Sequence, residues 1–376
     1  MAFAGRSVMD QKQEFVLMAL MEGSNVSGLC VRYGIGRTCA YKLLSRYRAE
    51  GLAGLAERSR RPLTSPRRSP AAVEAQVLVA RAEHPAWGGR KISRVVERDG
   101  GGTVAPSTVT GILRRNGVAL GEHGGGARPF IRFEHAAPND LWQMDFKGHV
   151  PLTRGRLHPL TVLDDHSRFA VALEACADET TETVKPRLIK AFRRYGLPRR
   201  MAADNGPPWG DAGLGAGFTA LGVWLIEIGV TLTHSSPRHP QTLGKDERFH
   251  RSLAIETLGR PFADLDEAQS ALDAWRQVYN LERPHDALGG KVPIDRYTPS
   301  TRSFSETIEP FSYAPDDLVR RVQRKGYVSC LGRIVRIGRA FANKHVALRP
   351  THIDGCFEAF FRHQKIVTID LNASQP

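Results

Sequence analysis

Apolar residues along this chain repeat with a helical period near the start, alternate in the middle and scatter in short runs near the end. Val26, Leu29, Cys30 and Tyr33 recur at the spacing of one helical face, and Ala40, Leu43, Leu44 and Tyr47 repeat it. Asn25 is placed to cap the first of these helices, and Gly34-Ile35-Gly36 turns between them. Two short amphipathic helices around a glycine turn predict a helix-turn-helix over residues 1–56, with the second helix presenting Arg37, Thr38, Tyr41 and Lys42. Residues 57–70 hold five Arg and three Pro with little apolar content, the composition of a basic linker. A second helical module is predicted over 71–120. Trp87-Gly88-Gly89 opens a helix bearing Ile92, Val95 and Val96, and Pro106 starts another whose Val109, Ile112 and Leu113 turn inward. Ser107, Thr108, Thr110 and Arg114 then face out. The glycines between Gly121 and Gly126 mark a flexible linker over 121–136.

From about residue 137 the pattern changes. Trp142, Met144 and Phe146 alternate with Gln143, Asp145 and Lys147, which predicts a strand with one wet face. Leu160–Leu163 and Phe169–Leu173 bracket Asp164-Asp165-His166-Ser167-Arg168, the makings of a hairpin turn. Val184, Leu188, Ala191, Phe192 and Tyr195 fall on one helical face; a short strand then runs into Asp204-Asn205-Gly206. Next come a helix around Phe218–Ile228, a strand around Val230–Thr233, a helix opened by Pro240 and reaching about Leu258, and a helix over Leu265–Tyr279. Residues 137–300 thus read as one α/β core with trailing helices. Over 311–376 short alternating runs such as Ile334-Val335-Arg336-Ile337, broken by Gly and Asn, predict a small β-barrel.

Composition narrows the partner. The net charge is +14 over 376 residues, an excess that favours a polyanion. Residues 1–70 carry 12 Lys/Arg against 5 Asp/Glu, and residues 316–349 carry 9 against 2, so the charge is concentrated towards both ends. Five scattered cysteines, none in a Cys-x-x-Cys pair, favour neither a disulfide framework nor a structural zinc site. The absence of a long uncharged apolar run or an apolar leader predicts a cytoplasmic, nucleoid-associated protein with no membrane span.

Three acids in the α/β region stand out as candidates for chemistry. Asp145 lies on a strand, Asp204 ends one, and Glu247 sits early in a helix; 59 residues separate the first two and 43 the last two. Attack on a phosphodiester needs an activated nucleophile, a stabilised leaving oxygen and shielding of phosphate charge, and two Mg²⁺ ions about 4 Å apart supply all three. Mg²⁺ prefers carboxylate oxygens. Crowded carboxylates repel one another, so such a site is incomplete without metal. Around Glu247, Arg238, His239, Gln241, Lys245 and Arg248 make a phosphate-facing edge. Asp246 is a rival third acid. Asp164 and Asp165 read as turn residues, His166 and His234 as structural or DNA-facing, and Trp209 as a packing anchor.

The segments LWQMDF, ADNGPPWG and SSPRHPQTLGKDERFHRSL resemble the three acid-bearing motifs of DDE-type insertion-sequence transposases, whose core is similar to that of retroviral integrases. The trailing YNLERPHDALGG, with Pro293 and Tyr297, resembles the segment after that core in bacterial members. Leu243 departs from the usual polar residue, and PPWGDAGLGAG is an insertion that resembles one subgroup. The resemblance implies an RNase H-like core, with a mixed five-stranded sheet and flanking helices. It also implies Asp145, Asp204 and Glu247 as metal ligands, and two Mg²⁺ ions for which Mn²⁺ can substitute. The activity implied is binding to double-stranded DNA at the element's terminal repeats, 3′-end nicking and joining to target DNA, by a homo-oligomer at least dimeric on DNA. A DNA-binding repressor or an inactive transposase remnant is the alternative.

Overall fold

A computed structural model describes residues 7–59, 68–119, 134–210, 217–234 and 244–373, and the chain divides into two compact units, residues 1–69 and 70–376. The first unit is helical. Its helices are α1 (Val8–Ala19), α2 (Val26–Arg32) and α3 (Arg37–Glu50), with a 3₁₀ turn after them at Gly51–Leu55. Ser7 and Asp10 form a capping box on α1, and the Asn25 side chain accepts from the Gly28 N–H at 3.0 Å, as its place before α2 predicts. Phe15, Val16, Cys30, Ala40, Leu43, Leu44 and Leu55 form the core. A Cβ on Gly54 would stand 2.4 Å from the Arg46 carbonyl oxygen, so only glycine lets the 3₁₀ turn fold back onto α3.

The second unit begins with α4 (Ala71–Glu83), α5 (Gly89–Arg98) and α6 (Pro106–Arg115) around Val77, Trp87, Ile92, Val95, Val96, Val109, Ile112 and Leu113. A Cβ at Gly89 would lie 2.5 Å from Thr110 Oγ1 and 2.7 Å from the Pro106 carbonyl, so this glycine allows α5 and α6 to cross closely.

The central sheet is built from β1 (Leu141–Phe146), β2 (Val150–Pro151), β3 (Arg156–Asp164), β4 (Ala170–Cys176), β5 (Arg200–Ala203) and β6 (Thr231–His234). Five strands run in the order β4-β3-β1-β5-β6, antiparallel from β4 to β1 and parallel from β1 to β6. The two-residue β2 adds a sixth strand to the five expected, by pairing with β3. One face carries Trp142, Met144, Met201 and Ala203 against α7 (Thr181–Tyr195) and α8 (Ala220–Glu227). All five apolar positions picked out for α7 are buried. The opposite face packs under α9 (Gly244–Glu256) and α10 (Leu265–Leu281) through Leu163, Leu173, Phe249, Leu253, Leu272 and Trp275. The helical module of α4–α6 is tied to the end of α10: Val278 packs against its core, Arg98 donates to the Glu282 carbonyl at 3.3 Å, and Arg90 pairs with Asp286.

The trailing motif straps these layers together. The Asn280 amide both donates to and accepts from the Ala170 backbone, Arg283 pairs with Glu256, and Tyr297 stacks on Phe169 with centroids 4.1 Å apart.

The tail differs from the closed barrel expected. Its strands β7 (Leu318–Arg321), β8 (Tyr327–Cys330), β9 (Arg333–Arg336), β10 (His345–Pro350), β11 (Cys356–Phe361) and β12 (Gln364–Asp370) form two open sheets, β12-β11-β10-β7 and β8-β9. Closure is not needed to bury the interior, because Val223 and Ile226 of α8 join Val322, Val328, Phe341, Leu348 and Phe361 in one core. The Gln364 amide meets both backbone groups of Leu232, at 2.7 and 2.9 Å, and so covers part of the free edge of β6.

Candidate active site on the sheet

The sheet register decides where the acids meet. Strands β1 and β5 pair in parallel as Leu141 with Arg200, Trp142 with Met201 and Gln143 with Ala202, a constant offset of 59 residues. The same 59 residues separate Asp145 from Asp204. Carried two residues further, that offset matches Asp145 near the end of β1 with Asp204 just past the end of β5, and the Asp204 charge acts on Asp145. Strand alternation turns them, with Gln143 and Ala202, to the face that α9 and α10 cover.

Local contacts orient each. Asp145 Oδ1 accepts from the Phe146 N–H at 2.8 Å, and Asp204 Oδ1 from the Gly206 N–H at 3.1 Å. His234 Nδ1 donates to the Asp204 carbonyl at 2.9 Å. Burial pushes the Asp145 carboxyl up to about 6; the Phe146 N–H opposes this, and the charges of Asp204 and Glu179 add to it. Glu179 in turn pairs with His158 at 2.8 Å.

Helix α9 lies above. His250 is buried, and its Nε2 is 2.9 Å from Thr161 Oγ1, whose hydroxyl donates to the Asp145 carbonyl at 3.0 Å. With that proton committed, Thr161 accepts from His250, so Nε2 carries the proton and Nδ1 the lone pair. Nδ1 stands 3.9 Å from Asp145 Oδ2. Burial holds His250 down to about 4, which keeps the ring neutral at pH 7.

Asp145 and Asp204 are thus brought together, whereas Glu247 is exposed on the first turn of α9. Among the described residues, no three acid, histidine or cysteine side chains are gathered closely enough to hold a metal ion. The rival acid Asp246 is only 1% exposed and faces inward, with neither oxygen hydrogen-bonded among the described residues. Burial, then the charges of Asp145 and Asp165, push its carboxyl well above the usual range.

The expected DNA contacts divide. Arg37, Thr38, Tyr41 and Lys42 are exposed on α3, Ser107, Thr108 and Arg114 on α6, and Arg248 on α9. Arg238, His239 and Gln241 lie outside the described residues. Lys245 does not stand out towards solvent; it pairs with Asp165. Sequence reasoning does not single out Thr161, His250 and Gln143 as site residues, because each acts through a partner far along the chain. Asp165 does occupy the β3–β4 turn, whereas Asp164 ends β3 itself, and both are buried: Asp164 accepts from the Asn139 N–H at 2.7 Å and from Ser167. Trp209 is a buried anchor, 5.6 Å from the Phe146 ring. Among the described residues no helix is long and apolar enough to cross a membrane.

Family models divide the chain in the same order. Models of an integrase core domain match residues 135–240 and 228–293, and the C-terminal domain model of the IS481 family transposases matches 317–376. A helix-turn-helix domain model matches 11–62, and a homeodomain-like domain model 39–113. The chain is 30% identical over 233 residues to an uncharacterized 31.7 kDa protein of insertion element IS407 from Burkholderia multivorans, covering 59% of this chain and 81% of that one. It is 24% identical over 288 residues to an uncharacterized 39.2 kDa protein of insertion element IS476 from Xanthomonas euvesicatoria, covering 75% and 81%. Among solved structures, the HTLV-2 integrase catalytic core domain in complex with magnesium aligns with 43% of this chain and 99% of its own, at 16% identity and a TM-score of 0.33. A chain of the simian T-cell lymphotropic virus intasome in complex with PP2A regulatory subunit B56 gamma aligns with 78% of this chain and 99% of its own, at 16% identity and a TM-score of 0.38.

Proposed function

Because the chain belongs to the insertion-sequence transposases with an RNase H-like integrase core, polynucleotidyl transferases of DNA integration, we propose that it nicks the 3′ ends of its element and joins them to target DNA at Asp145, Asp204 and Glu247. The observation that carries this reading is the β1–β5 offset of 59 residues, equal to the spacing of the two aspartates.

The donor set fits Mg²⁺. Asp145 and Asp204 are oxygen ligands whose mutual repulsion helps hold the Asp145 carboxyl at about 6, and a hard divalent cation relieves that repulsion. Asp145 and Asp204 would hold it with Glu247 from α9; two ions, replaceable by Mn²⁺, are the number this chemistry uses. When bound, the metal supplies an activated nucleophile and charge neutralisation at the phosphate. The chain's own residues set the stage. Thr161 and the Phe146 N–H orient Asp145, and the Gly206 N–H orients Asp204. The exposed faces of α3 and α6 read the terminal repeats, and Arg248 meets the backbone near the acids. Two DNA ends must be joined together, which calls for at least a dimer on DNA.

The test is incubation of wild type, Asp145→Asn and Glu247→Gln with a labelled duplex of the element's end, with and without Mg²⁺. Metal-dependent nicking and joining by wild type is expected. Each variant should fall by about 10³-fold or more while still binding the duplex, since removing one member of a catalytic group removes nearly all of its effect. Binding by wild type with no cleavage under any metal condition would replace this reading with that of a DNA-bound repressor.

A further inference from the structure

Lys245 stands in the first turn of α9, two residues before Glu247, and its ammonium group is turned inward. Its side chain is 15% exposed and donates to Asp165 Oδ1, on a side chain 1% exposed. Asp165 collects donors from three separated segments: Lys245 from α9, the Gln143 Nε2 from β1 at 2.9 Å, and the His135 N–H at 2.9 Å. The Asp165 N–H donates in turn to the Leu141 carbonyl at 3.0 Å, and the Arg168 guanidinium donates to the Asp165 carbonyl. Asp165 is therefore fastened twice to β1, the strand that carries Asp145 two residues beyond Gln143.

We infer that Lys245 and Asp165 form a positioning latch that sets the first turn of α9, and with it Glu247, against the strand bearing Asp145. This rests on the phosphoryl-transfer reading above. The alternative duty for a lysine here is contact with DNA phosphate. That contact would require Lys245 to leave a carboxylate that water does not reach, stripping a buried charge of its cationic partner. The other side-chain ties of α9 lie further along: His250 reaches Thr161 of the sheet one turn on, and Glu256 at the far end reaches Arg283 just past α10. The adjacent Asp246 is buried but makes no hydrogen bond among the described residues, so it does not tie down that turn. A helix free to shift by about 1 Å at its start would misplace Glu247, and misplacement of that size costs roughly 10²-fold in rate.

The experiment uses the full chain with Lys245→Met, Lys245→Arg and Asp165→Asn. Three quantities are measured: affinity for the element-end duplex from 50 to 200 mM salt, the single-turnover joining rate across a Mg²⁺ titration, and the thermal melt. The latch predicts that Lys245→Met and Asp165→Asn both lose joining by roughly 10²-fold, need more Mg²⁺, and keep the affinity and salt slope of wild type. Lys245→Arg, which retains the cation, should restore most of the rate. Reduced affinity in Lys245→Met with a salt slope smaller by about 0.9, alongside an unimpaired Asp165→Asn, would make Lys245 a phosphate contact and overturn the latch. If Lys245→Met does not fold, Asp165→Asn and Lys245→Arg decide: wild-type joining by Asp165→Asn overturns the inference. Absence of joining by wild type itself would instead defeat the catalytic reading on which the latch rests.

Discussion

The acids on the strands and the acid on the helix are held by different means. Asp145 lies near the end of β1 and Asp204 just past β5, two residues beyond a backbone ladder that pairs the two strands at the same 59-residue offset. Glu247 rides on α9, whose described ties to the sheet are made by side chains: Lys245 with Asp165, His250 with Thr161, and Phe249 and Leu253 in the core. A ladder shares its load over many backbone bonds, whereas a helix docked by a few side chains can be shifted by one substitution. Of the three acids proposed for catalysis, the two near the strands should therefore be robust in position and the one on the helix adjustable.

The largest test of that difference lies at the far end of α9. Glu256 pairs with Arg283 and accepts from the Trp275 indole at 2.9 Å, with the paired side chains 12% and 7% exposed. Glu256→Ala should lower stability by about 3–5 kcal/mol, because Arg283 is left charged and buried. Urea unfolding measures it, and a midpoint unchanged from wild type would show that α9 does not depend on this end. Glu256→Gln, which still accepts from Trp275, should lose less.

A smaller effect comes from His285, which packs edge-on against Tyr279 of α10 at 4.9 Å. Burial, reinforced by nearby cations such as Arg283, holds it down to about 3, below the ordinary value of 6.5. The unfolded chain therefore binds a proton that the folded chain refuses. Stability from this residue is complete above about pH 6.5 and falls as pH drops towards 3, by up to about 1.4 kcal/mol per pH unit. Melting His285→Phe between pH 7 and pH 5 should show a shallower decline than wild type; parallel curves would remove His285 from the account.

The smallest effect probes the link between the two regions directly. Thr161→Val keeps the shape of the β3 residue but removes its bonds to the Asp145 carbonyl and to His250. Stability should fall by about 1–3 kcal/mol, because buried partners are left unsatisfied. Joining should fall further than duplex binding does. Equal losses in both would mean that Thr161 supports the fold alone.

Much of this contrast is visible in the chain itself, and the part that is not has a physical cause. The five apolar positions of α7, the inward faces of α3 and α6, and the cap at Asn25 follow from spacing, because helical period and end chemistry are local properties. The acids proposed for catalysis are also picked out by residues close to them in sequence. Asp165 reads as a turn acid because its three donors lie at residues 135, 143 and 245, and nothing local announces them. Lys245 reads as a phosphate contact because an isolated lysine in a basic stretch shows its charge but not its partner. The tail reads as a barrel because alternation reveals which side of a strand is buried, not what buries it; here Val223 and Ile226 of α8 join the strands' own core.

The sequence alone determined the periodic elements, the basic helices and the types of acid available for chemistry, since each depends on residues within a turn or two of one another. Only the tertiary structure decided that the 59-residue spacing coincides with a strand register, that Asp246 faces inward while Glu247 is exposed, and that Lys245 is matched to a buried carboxylate. Those outcomes depend on which distant segments share an interior, where water is excluded and an unmatched charge or unpaired polar group is costly.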